Sequence, residues 1–178
     1  MNSYRPLILA HGGAGSRRIT RAQAACLADA IAEGYGILAQ GGPALAAVEC
    51  TIGLLEQSGL FNAGRGANRQ LDGVQRMDAA IMEGAHLKAG AVASIEGIVH
   101  PITAARLVME ETNHVLLVGP FAGRFARHFT LDRHRSTGVR RRLSYDRILA
   151  RQKCSTAERH GTVGAVALDR SGTVAAGA

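Results

Sequence analysis

The stretch HGTVGAVALDRSGTVAAGA, residues 160–178, decides how the rest of the sequence is read. GTVGAVALD (161–169) and GTVAAGA (172–178) are runs of small and β-branched residues with a polar turn between them. That pattern predicts a hairpin of two buried strands. Thr162 opens the first strand, a position that suits a β-branched residue on packing grounds alone. A second reading is chemical. A threonine hydroxyl is a poor nucleophile unless a base stands beside it, and the residue's own α-amine can be that base once the preceding peptide bond is cut. Gly161 has no side chain to obstruct attack on its carbonyl. On the residues alone, both readings of Thr162 stand.

Working outward, PLILAHGG (6–13) reads as a buried strand ending in glycines. RAQAACLADAIAEGYGILAQ (21–40) carries Ala24, Leu27, Ile31, Tyr35 and Leu38 at helical spacing. PALAAVECTIGLLEQS (43–58) carries Leu45, Val48, Ile52 and Leu55 on one face, with Pro43 suited to open the helix. After a Gly/Asn-rich loop, MDAAIMEG and LKAGAVASIEG predict two strands turning around 84–86. A helix from Pro101, a short strand HVLLVG (114–119) and a short helix PFAGRFARHF (120–129) follow. Helices are grouped and strands are paired, which predicts an α+β fold with an antiparallel sheet covered by helices.

Composition narrows the class. The 178 residues are 47% hydrophobic and 20% charged, as in globular domains with a real core. No run approaches a membrane span, so no membrane partner is expected. Cys26, Cys50 and Cys154 fit no disulfide or metal spacing, and a reducing, cytoplasmic setting is expected. The net charge of +7 hints at nucleic acid, but residues 124–159 alone hold 11 Lys/Arg against 3 Asp/Glu, and aromatics are not interleaved. A solvated basic linker arm over 123–160 is the expectation, with no nucleic-acid partner.

Three further features could carry chemistry. HGGAG (11–15) is a turn that could present backbone N–H groups to an anion, and His11 could be a base, although a histidine at a strand end is usually structural. FNAGRGA (61–67) could point carbonyls inward and hold a hard cation. Asp72 and Asp78 have no spacing that pairs them, so they are expected on the surface, and His100 before Pro101 reads as local structure.

HGGAG, FNAGRGA, LKAGAVASIEG followed by HPITAARLVMEETNHVLLVG, and HGTVGAVALDRSGTVAAGA occur in one order, and that set resembles the plant-type L-asparaginase (isoaspartyl peptidase) family of threonine N-terminal-nucleophile hydrolases. The resemblance implies a four-layer αββα sandwich, here incomplete. It implies an α-subunit-like region 1–161, the basic arm at its end, and a β-subunit-like region starting at 162. It implies autoproteolysis between Gly161 and Thr162, after which Thr162 forms an acyl-enzyme with L-asparagine or a β-aspartyl dipeptide. Asn62 would support the nucleophile. Main-chain carbonyls of Leu55, Glu56, Ser58, Phe61, Ala63 and Arg65 would hold a structural sodium ion, with no cofactor for catalysis. The family's substrate-gripping Arg and Asp, and the Thr-Gly pair of its oxyanion hole, are expected in a C-terminal β-subunit segment absent from these residues, within a dimer of αβ units. A truncated, inactive member serving as a partner-binding module is the alternative.

Overall fold

The computed structural model describes residues 4–13, 18–70, 72–134 and 162–178. Its first strand, β1 (Leu7–His11), leads to two helices, α1 (Arg21–Ala39) and α2 (Ala44–Ser58). A 3-10 turn (Gly64–Gly66) precedes strands β2 (Met77–Glu83) and β3 (Ala89–Ile95). Then come α3 (Pro101–Glu111), β4 (Leu116–Val118), α4 (Gly119–His128), β5 (Gly164–Leu168) and β6 (Val174–Gly177). This is the expected α+β order.

Local chemistry accounts for the helix ends. The Thr20 side chain accepts the Gln23 N–H at 3.2 Å while Gln23 Oε1 accepts the Thr20 N–H at 3.0 Å. This reciprocal capping box satisfies two of α1's orphan donors. α2 starts after Pro43, which offers no side-chain cap, and ends at Gly59 in the left-handed region. α3 carries Pro101 in its first turn, where the missing N–H costs nothing.

The six strands form one sheet in the order β1-β5-β6-β2-β3-β4. All neighbours are antiparallel except β3 and β4, which run parallel across the α3 crossover. The sheet is therefore mixed, where grouped strands had suggested an antiparallel one. The difference lies in α3: a helix joining two neighbouring strands returns the chain in the same direction. The predicted hairpin is present, with Leu168 opposite Val174 and Ala165 opposite Gly177. Its first strand is also paired with β1, so β5 lies in the sheet interior.

Burial alternates along β2: Met77, Ala79, Ile81 and Glu83 are buried, while Asp78, Ala80 and Met82 are exposed. The buried side meets the helices. Leu38, Val48, Ile52, Leu55, Ile102 and Val108 are all 0% exposed. Each such side chain contributes about 1.5–3 kcal/mol relative to leaving it in water. The other side carries no layer among the described residues. Leu7, Leu9, Val166, Val174, Met82, Leu116 and Val118 are 39–59% exposed there. Registry joins them into one surface: Leu9 is opposite Val166, Val166 opposite Ala176, and Ala176 opposite Met82. A continuous apolar sheet face of this kind is uncommon on a free-standing domain.

The basic segment expected as a linker begins inside α4. Residues 131–134 are also tied in: the Val99 N–H bonds to the Asp132 carbonyl at 2.9 Å, and the His134 N–H to the Gly97 carbonyl at 2.9 Å. Residues 135–161, which include Cys154, Gly161 and most of that segment, lie outside the described residues. Among the described residues no helix is long and apolar enough to cross a membrane.

Candidate active site

Thr162 sits two residues ahead of β5, exposed, and is followed by the buried Val163. It forms part of the wall of a cavity of about 140 Å³. Glu56, Asn62, Gly64, Arg76 and Asp78 line the same cavity. Pro101 and Ala178 complete the wall, so five separate stretches of chain converge on Thr162. Because β5 is paired on both edges, the residue is carried on a rigid support.

The loop bearing Asn62 is braced from several sides. Asn62 Oδ1 accepts the Asn68 N–H at 2.7 Å, which fixes the side chain within the loop. Gln75 Nε2 donates to the carbonyls of Gly64, Arg65 and Ala67 at 3.3, 3.3 and 2.8 Å. The Phe61 ring is buried and lies against Gly12, so the HGG turn packs on this loop. Gly64 has φ +52, and a Cβ there would collide with the Glu56 carbonyl. A Cβ at Gly66 would likewise collide with the Phe61 and Gly59 carbonyls, so the two glycines leave open a cradle of main-chain oxygens, the donor type that suits a hard cation.

Of the six sequence-identified carbonyls, that of Glu56 lies close to Gly64 and that of Phe61 close to Gly66. Ser58 Oγ donates to the Leu55 carbonyl at 2.7 Å, the Gly66 N–H to that of Ala63 at 3.0 Å, and Gln75 to that of Arg65. Each oxygen keeps a second lone pair. Among the described residues no three His, Cys, Asp or Glu side chains gather as a metal site.

Charged groups set the electrostatics. Arg76 donates to Asp72 at 2.7 Å, to Glu96 at 2.9 Å and to Gln70 at 3.0 Å. The hydrogen bond from this guanidinium holds the Asp72 carboxyl below the usual carboxylate range. Asp78 accepts the Ser94 N–H at 2.7 Å. Glu56 is 3% exposed, and its Oε1 accepts the Ile102 N–H at 3.1 Å. Glu56 Oε2 lies 3.6 Å from His100 Nδ1, an ion-pair distance too long for a hydrogen bond, and both atoms are buried without a hydrogen-bond partner. Burial pushes the Glu56 carboxyl above its ordinary range, against the pull of His100 and the Ile102 N–H.

The sequence-identified candidates thus separate. Thr162 and Asn62 share a cavity. His11 does not line it: the imidazole packs across Gly164, its register partner, and Nδ1 accepts the Gly13 N–H at 3.3 Å. Asp72 is on the surface as expected. Asp78 is exposed too, but it faces the Thr162 cavity, because the pleat turns it away from the buried Met77 and Ala79. His100 stands at the N-cap of α3, and its local role includes the contact with Glu56. Sequence reasoning overlooked the Glu56 side chain and Arg76. For Glu56 a signal existed: it lies four residues after Ile52, an acid on the apolar stripe of α2. For Arg76 there was none.

Comparison with known proteins places the chain in a family. Residues 4–178 match the family described as asparaginase. The isoaspartyl peptidase/L-asparaginase of Xenopus laevis is 39% identical over 96% of this chain and 58% of its own length. The isoaspartyl peptidase of Escherichia coli is 37% identical over 96% of this chain and 59% of its own. The plant-type L-asparaginase of Pyrococcus abyssi is 40% identical over 94% of this chain and 61% of its own. The chain therefore spans about three fifths of the length of these relatives. With its Thr-led strand pair and Asn-bearing loop facing one cavity, the chain belongs to the asparaginase family.

Proposed function

We propose that the chain is part of a threonine-dependent amidohydrolase acting on L-asparagine or β-aspartyl dipeptides, with Thr162 as nucleophile. The observation that carries this reading is that Thr162 and Asn62, far apart in sequence, line one polar cavity. In the first step the Thr162 hydroxyl adds to the Gly161 carbonyl, and the peptide nitrogen leaves as the α-amine of Thr162. Water then hydrolyses the Gly161 ester, giving a carboxylate at Gly161 and a free threonine. In turnover the α-amine, whose pKa is roughly 7.7–8.0, takes the hydroxyl proton as Oγ1 attacks the substrate's side-chain carbonyl. The departing amine collects that proton, and water releases aspartate from the acyl-threonine. Asn62, oriented by Asn68, positions the nucleophile.

The remaining groups, a clamp for the substrate's α-carboxylate and α-amine and an oxyanion hole, belong in this reading to the further two fifths of length that the relatives possess. Lack of oxyanion donors alone lowers rates by about 10²–10³. The same extra length would supply a second sheet against the bare apolar face, completing an αββα sandwich that then pairs as a dimer of αβ units. A sodium ion in the carbonyl cradle would fix the loop that bears Asn62, with no part in the chemical steps.

Intact-mass spectrometry tests the reading. The full-length protein is expected to break between Gly161 and Thr162 and to release ammonia from asparagine, and Thr162→Ala is expected to do neither. Breakage that persists in Thr162→Ala would refute the assignment of the nucleophile.

A further inference from the structure

A groove of about 470 Å³ adjoins the Thr162 cavity. Arg76 lines both, and Asp78 on the cavity side is hydrogen-bonded to Ser94 on the groove side. The groove is lined by Arg76, Ser94, Glu96, Gly123, Arg124 and Arg127 among others. Its size suits a small ligand.

The charges in the groove are not balanced. Arg76 is shared by Asp72 and Glu96, so its charge is spent on them and that trio is left with one net negative charge, against which Arg124 and Arg127 bring two positive ones. Arg124 and Arg127, three residues apart on α4 and so on one face, form no ion pair among the described residues. Both are nevertheless placed. The Arg124 guanidinium lies 4.4 Å from the centre of the Phe121 ring, a stacking that orders it. A Cβ at Gly123 would come within 3.3 Å of Arg127 Nη1, so the glycine leaves that guanidinium its room. Ser94, on the opposite wall, has φ +52, a left-handed conformation that non-glycine residues seldom adopt. Backbone held in such a state by its surroundings, here by Asp78, is concentrated at binding and catalytic sites.

We propose that this groove is the subsite for the carboxylate of the residue that leaves from a β-aspartyl dipeptide, with Arg124 and Arg127 as its receivers. The identity of the ligand rests on the hydrolase reading above. A planar guanidinium pair suits a carboxylate better than ammonium groups do. Free L-asparagine has nothing beyond its amide nitrogen to reach the groove. The two substrates therefore differ at this place, and the arginines favour the dipeptide.

The test is titration of the full-length protein carrying Thr162→Ala, which does not turn substrate over, with β-aspartyl-glycine and with its C-terminal amide, followed by amide NMR. The acid is expected to bind roughly tenfold tighter than the amide, with shifts at Ser94, Gly123 and Arg127. The double variant Arg124→Gln, Arg127→Gln is expected to bind acid and amide alike. Its NMR spectrum reports whether it is folded, and the single variants are the recourse if it is not. Equal binding of acid and amide by the parent, no binding of either, or a preference that survives in the folded double variant would each overturn the subsite. None of these results touches the hydrolase reading, which stands or falls on cleavage before Thr162.

Discussion

Asp169 joins the strand that carries Thr162 to the helix that carries Glu56, and its removal should be costly. The side chain stands at the end of β5 and is 5% exposed. Its Oδ2 accepts the Ala44 N–H, the first of α2, at 3.0 Å. Its Oδ1 accepts the Ser171 and Thr173 N–H groups at 2.9 and 3.1 Å and the Ser171 hydroxyl. In Asp169→Ala the buried Ala44 N–H loses its acceptor, at about 1–3 kcal/mol. The turn donors at 171 and 173 are nearer water, and their loss adds about 1 kcal/mol. A total of about 3 kcal/mol lowers the Tm of a chain this size by about 6–12 °C. Asp169→Asn keeps the Oδ1 acceptor and should lose about half as much. Burial raises the Asp169 pKa, but the Ser171 hydroxyl and the backbone N–H groups of Ala44, Thr173 and Ser171 outweigh it, leaving the carboxyl below its usual range. The stability from its charge is thus present above the unfolded pKa of about 3.9 and is lost as pH falls through the lower folded value. Urea unfolding at pH 7 and again near pH 3 measures both parts. An alanine variant within about 0.5 kcal/mol of the parent at pH 7, the range of an ordinary surface substitution, would refute the reasoning.

Two more outcomes can be checked with the same protein. Gly64→Ala forces a Cβ into left-handed backbone against the Glu56 carbonyl and should cost about 2 kcal/mol, seen as a lower urea midpoint. The bare sheet face should make the isolated 178-residue chain self-associate in sedimentation velocity. Lysine at both Leu9 and Val166, which face each other across β1 and β5, should return it toward monomer, and unchanged association would place the contact elsewhere.

What the sequence disclosed was local. The α1 and α2 stripes, the β2–β3 turn and the terminal hairpin each carry their signal within a dozen residues, through periodicity and turn chemistry. The insertion of β5 beside β1 has no such signal, because nothing in LILAH names GAVAL as its partner. The parallel β3–β4 pair was hidden for the same reason. Thr162 and Asn62 were legible through their motifs. Asp78 and Arg76 were not, because their contribution depends on which face of β2 the pleat turns toward Thr162. The Arg124–Arg127 pair was masked by its surroundings, lying at the edge of a long basic segment that reads as one solvated stretch.

The place of β5 also has a consequence for timing. The strand after Thr162 comes far later in the chain than β1, yet it lies beside it as an interior member of the sheet, between β1 and β6. β1 must wait without this partner until β5 has been made, and their pairing closes a long loop. The cavity around Thr162 has no complete wall before that closure. Before β5 has been made and paired, Thr162 and the loop bearing Asn62 therefore have no common cavity to line.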